Sequence, residues 1–74
     1  MSGTGEEAFE VNVNGELRTV PAGASVADLV LSLGFVPKQV AVERNKVIVR
    51  REVHGATLLE PGDQLEVVTF FGGG

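Results

Sequence analysis

A short amphipathic stretch, Ser25 to Gly34, constrains the fold most, because the apolar segments before and after it follow the period of strands. Val26, Leu29, Val30 and Leu33 recur at i, i+3, i+4 and i+7 and form one apolar stripe. Ser25 stands where a side-chain oxygen can accept from the amide of Asp28, whose carboxylate favours the positive end of a helix. Gly34 is placed to stop the helix in the left-handed conformation, and Pro37 discourages its resumption. A helix this short cannot bury its stripe alone, so it has to pack on a sheet.

The strands around it can be read in turn. In Ala8 to Val13, Phe9, Val11 and Val13 alternate with Glu10 and Asn12, the period of a strand with one buried face. Asn14-Gly15 supplies the positive φ values of a two-residue type I′ turn. Glu16 to Val20 returns, with Leu17 and Val20 as the inward candidates, although their spacing of three does not match the strand period. Pro21 to Ala24 breaks the sheet before the helix. Val40 to Arg44 and Val47 to Val49 read as strands joined by an Asn45-Lys46 turn, and Glu52 to Leu59 as irregular chain or one helical turn. Pro61-Gly62-Asp63 is a strong turn, and Gln64 to Phe71 a last strand that runs into Gly72-Gly73-Gly74. This order, hairpin, helix and further strands, suggests an α+β fold of the β-grasp kind: a small mixed sheet covered by one helix. Other small α+β arrangements use the same elements. The expected division is a disordered leader over 1–7, a β-grasp domain over 8–71 and a reactive tail over 72–74.

Composition removes several functions. The 74 residues make one small domain, in which an enclosed catalytic cleft is not expected. The absence of cysteine removes disulfides, a thiolate nucleophile and the sulfur ligands of zinc or iron–sulfur sites; it fits a cytoplasmic protein. A net charge of −4 has the wrong sign for neutralising nucleic-acid phosphates and suits a basic protein partner or a solubilising surface. No apolar run reaches the length of a membrane span. The lone histidine, His54, is expected at the surface, so neither a catalytic residue nor a metal site is assigned. The glycines open no helix, unlike a phosphate-binding loop. Arg44, Lys46, Arg50 and Arg51 form a local basic cluster, read as solvated hairpin charge or as a docking patch.

The glycine tail is the most reactive prospect. Without side chains, Gly72 and Gly73 can thread a channel that other residues would block, and the Gly74 carboxylate can reach a partner's active site. A frayed chain end would look the same. Val68 and Phe70 share the face of the last strand opposite Leu65 and Val67, so they are assigned to partner docking; for Val68 a wider core contact is an equal alternative.

Val42-Glu43-Arg44-Asn45-Lys46, Pro61-Gly62-Asp63-Gln64-Leu65-Glu66 and the closing Phe70-Phe71-Gly72-Gly73-Gly74 together resemble the ThiS family, the sulfur carriers of bacterial thiamine thiazole synthesis, over Phe9 to Gly74. Two features depart from the family pattern: the polar leader, and Phe71 where an aliphatic residue is more usual. The resemblance implies a ubiquitin-like β-grasp and a protein co-substrate in place of an enzyme. It implies that a ubiquitin-activating-like adenylating enzyme uses ATP to activate Gly74. A persulfide fed by a cysteine desulfurase would convert Gly74 to a thiocarboxylate, and a thiazole synthase would receive the sulfur. The chain itself would bind no cofactor. Terminal glycines are shared with carriers for molybdopterin, cysteine or tRNA thiolation and with protein modifiers, and a non-catalytic interaction module has the same fold.

Overall fold

A computed structural model describes residues 7–70. Residues 1–6 of the expected leader and Phe71 with the Gly72 to Gly74 tail lie outside the described residues. Five strands follow in chain order: β1 (Ala8–Val13), β2 (Glu16–Pro21), β3 (Val40–Arg44), β4 (Val47–Val49) and β5 (Gln64–Thr69). The helix α1 (Val26–Ser32) lies between β2 and β3. Two 3₁₀ turns, Pro37–Gln39 and Arg51–Ala56, complete the connections. The sheet order is β2-β1-β5-β3-β4, which puts the last strand in the centre, parallel to β1 and antiparallel to β3.

The expected turn and cap chemistry is present. Asn14 and Gly15 have φ of 52° and 90°, and the turn closes on the Val13–Glu16 pair. Ser25 Oγ accepts from Asp28 N–H at 3.0 Å while Asp28 Oδ2 accepts from Ser25 N–H at 2.9 Å, so each residue satisfies an amide that the helix start leaves bare. Gly34 follows the helix at φ 95°. Val26, Leu29 and Val30 are buried and Leu33 is half-buried against Val11, Val13, Val20, Val42, Leu65 and Val67 of the sheet. The core is mostly valine, whose branched side chains suit a pleated surface.

Three expectations are corrected. Leu17 was expected to face inward and is 68% exposed. The two-residue turn pairs Leu17 with Asn12, on the face opposite the helix, whereas Val20 pairs with Phe9 and is buried; residues three apart on a strand cannot share a face. His54 was expected at the surface and is 2% exposed. The Arg51–Ala56 turn carries it inward, where Nε2 lies 2.9 Å from the Val49 carbonyl. Nε2 therefore donates to that carbonyl, and Nδ1 is buried without a hydrogen-bond partner among the described residues. Finally β5 ends at Thr69, short of the expected Phe71; Phe70 leaves the strand but still donates its N–H to the Gln39 carbonyl at 2.8 Å.

Candidate functional site

β5 is the strand that leads to the glycines, and its alternation is strict. Leu65 and Val67 point into the core; Gln64, Glu66 and Val68 point away from the helix. Val68 is 57% exposed and Phe70 58%, so both stand on the solvent side, as their sequence positions implied. Opposite residues of an antiparallel pair share a face. Ala41 therefore lies beside Val68, Glu43 faces Glu66, and Ile48 on β4 faces Glu43. The outer face thus joins an apolar strip near the end of β5 to two opposed carboxylates on adjacent strands. Like charges in that relation repel and leave the face receptive to positive charge. Gly72, Gly73 and Gly74, the expected threading and reactive residues, lie outside the described residues.

The two hairpin tips hold β5 from either side. Both turns begin with an asparagine at φ 52°, Asn14 and Asn45, and both spend their side-chain amides on β5 or on Asp63 just before it. Asn45 Oδ1 accepts from Gln64 N–H at 2.9 Å, and its Nδ2 donates to Asp63 Oδ1 at 3.1 Å. Asn14 Oδ1 accepts from Val67 N–H at 2.9 Å, and its Nδ2 donates to the Val67 carbonyl at 3.1 Å. The start of the strand has further support. Asp63 is buried, and its Oδ2 accepts from Glu60 N–H at 2.8 Å and lies 3.8 Å from Arg44 Nε. Arg44 Nη1 donates to the Leu58 carbonyl at 2.8 Å. Gly62, at φ 81°, takes the position of the Pro61 turn that demands positive φ.

These bonds reassign part of the basic cluster. Arg44, grouped in sequence with Lys46, Arg50 and Arg51 as hairpin charge, is half-buried and locks the last turn to β3; the other three are exposed, Arg50 with Glu52 at 3.8 Å. The Glu-Arg-Asn and Pro-Gly-Asp segments therefore meet as one structural clasp. Sequence reasoning missed both asparagine grips, having read Asn14 and Asn45 only for backbone conformation. The available signal was the choice of asparagine at both tips, since glycine meets the φ requirement without an amide to offer. Among the described residues no three His, Asp or Glu side chains gather to hold a metal ion, and no helix is long and apolar enough to cross a membrane.

A five-stranded mixed sheet with a central last strand, parallel to the first and covered by one helix between the second and third, is the ubiquitin-like β-grasp. The ThiS family model matches residues 11–74, and the chain belongs to the ThiS family of small sulfur carriers. A crystal structure of the thiamine biosynthesis protein ThiS from Geobacter metallireducens is similar with a TM-score of 0.70 at 36% identity, over 89% of this chain and 100% of that one. A thiazole synthase from Magnetococcus marinus is 48% identical over 66 residues, which are 89% of this chain and 20% of that protein. A thiazole synthase from Paramagnetospirillum magneticum is 42% identical over 62 residues, 84% of this chain and 19% of that protein. The chain thus spans about a fifth of the length of these synthases.

Proposed function

We propose that the chain carries sulfur as a thiocarboxylate on Gly74 for the thiazole step of thiamine biosynthesis. The observation that carries this reading is the family match, which runs through the final glycines to residue 74. A carboxylate is a poor electrophile. An adenylating partner would join the Gly74 carboxylate to the α-phosphate of ATP, releasing pyrophosphate and making AMP the leaving group. The terminal sulfur of a protein persulfide, supplied by a cysteine desulfurase, would then displace AMP and form an acyl disulfide. A thiol would cleave the S–S bond, taking up the persulfide's carrier sulfur as a disulfide and leaving the thiocarboxylate on glycine. The chain supplies no catalytic side chain and binds no cofactor; it presents the acyl group, with Gly72 and Gly73 in the partner's channel.

Likeness to segments of two thiazole synthases supports thiazole formation over molybdopterin, cysteine or tRNA thiolation as the destination. Val68, Phe70 and the adjoining Ala41 would dock on an apolar partner surface, with basic residues at its rim opposite Glu43 and Glu66. The test is intact-protein mass spectrometry after incubation with a ubiquitin-activating-type adenylating enzyme, ATP and a persulfide donor. Sulfur replacing one oxygen at the C-terminus is the expected result. Equal conversion of a chain lacking Gly74 would overturn the proposal.

A further inference from the structure

We infer that Asn14 is a positioning residue for the reactive tail: its side-chain amide stands in for a missing strand and sets the direction in which β5 leaves the sheet. The inference rests on the carrier reading of Gly74. β1 and β5 run parallel, and their pairing ends at Val13 and Leu65 because the chain turns back at Asn14-Gly15. On this side the rungs run from Asn12 N–H to the Asp63 carbonyl at 2.8 Å and from Asn14 N–H to the Leu65 carbonyl at 2.9 Å. The next rung belongs to Val67, and no backbone from β1 remains to make it. The Asn14 amide makes it instead, with one donor and one acceptor in the arrangement of a peptide group. On the opposite side β3 pairs through Val40 with Thr69, and Gln39 receives Phe70 N–H. Among the described residues, the root of the tail is therefore held by β3 on one flank and by the Asn14 amide on the other.

Loss of that side chain has a specific consequence. With the Val67 rung gone, the end of β5 frays on the β1 side, and the root of the tail samples more directions. Fewer of them bring Gly74 to the partner's nucleotide. A reduced competent fraction raises the apparent KM for the carrier in inverse proportion and leaves kcat unchanged, because every complex that does form reacts normally. The φ of 52° at Asn14 makes the test clean: glycine adopts it without strain, so Asn14→Gly keeps the turn and deletes only the amide.

The experiment uses the full chain as wild type, as Asn14→Gly and as Val20→Ala, a core change on the edge strand β2 that lowers stability without removing a hydrogen bond to β5. Amide exchange by NMR reports on Val67 against Val42, and adenylation of Gly74 by a ubiquitin-activating-type enzyme is followed as a function of carrier concentration. In Asn14→Gly, Val67 exchange should accelerate about tenfold beyond any change at Val42, and KM should rise about three- to tenfold at constant kcat. Val20→Ala should leave KM unaltered. An unchanged KM in Asn14→Gly while the wild type loads normally, or an equal rise in Val20→Ala, would overturn the inference. Failure of the wild type to be adenylated is a different result and overturns the carrier reading itself.

Discussion

The two ends of β5 are gripped by the same residue type in the same turn position, yet the start is paired with backbone on both flanks and the finish with backbone on one. At its start, Asn45, Asp63, Arg44 and the Glu60 amide interlock across the last turn and two strands. At its finish, Asn14 and the Gln39 carbonyl tie it among the described residues, beyond the regular pairing with β3. The contrast separates two roles. The motif residues that make the family recognisable at mid-chain serve the fold, whereas the end that the carrier reading sends to a partner lies beyond the paired region of β1. Part of what the sequence offers as a signature is therefore architecture, and the chemistry proposed for Gly74 falls to residues with no side chain.

The sharpest way to break this comparison is at the extremes of the strand. Removing Gly74 should abolish sulfur loading completely while the denaturation midpoint stays at the wild-type value; mass spectrometry and a denaturant melt on the same sample check both. Asp63→Ala should do the reverse. It strips both acceptor oxygens, Oδ1 from Asn45 Nδ2 and Oδ2 from Glu60 N–H, and leaves Arg44 without its carboxylate, a loss of about 2 to 4 kcal/mol in denaturant unfolding. A stability loss much below 1 kcal/mol would mean that the clasp is ornamental.

Phe70→Ala is next in size. An aromatic anchor that fills a partner pocket contributes about 2 kcal/mol to binding, whereas truncation of a surface residue should change unfolding by less than about 0.5 kcal/mol. Calorimetric titration against the adenylating enzyme or thiazole synthase, beside a thermal melt, separates the two; a collapsed melt with intact affinity would put Phe70 among the core residues. The smallest effect belongs to Glu66→Lys. Relieving its repulsion with Glu43 should raise stability by about 0.5 kcal/mol, while affinity for a basic partner falls most at low salt. A variant that binds as tightly as wild type at low ionic strength would remove charge from the docking argument.

Much of the sheet and helix was legible because the signals are local. The Asn14-Gly15 turn, the Ser25 and Asp28 cap and the stripe from Val26 to Leu33 each declare themselves within a few residues. Leu17 misled because its hydrophobicity outweighed the turn geometry that fixes the register of β2. His54 misled because a polar neighbourhood in sequence says nothing about which way a 3₁₀ turn faces; its ring found the Val49 carbonyl five residues back. The asparagine grips were illegible for a different reason. Asn14 and Val67 are 53 positions apart, and a contact at that distance leaves no periodicity to read. At the candidate site, the exposure of Val68 and Phe70 followed from alternation alone, whereas the acidic pair depended on the register between β3 and β5.

The central position of β5 also sets the order in which the molecule can be made. The strand that separates β1 from β3 is the last of the five to be synthesised, so the earlier strands have no common sheet to join until it arrives. Val11 and Val42 face an unfilled gap up to that moment, and the pairing that closes it links the first strand to the last. Such long-range closure makes folding slower than the small size suggests. It also works as a checkpoint: a chain interrupted before Leu65 and Val67 lacks its middle strand, so an unfinished copy has no completed sheet.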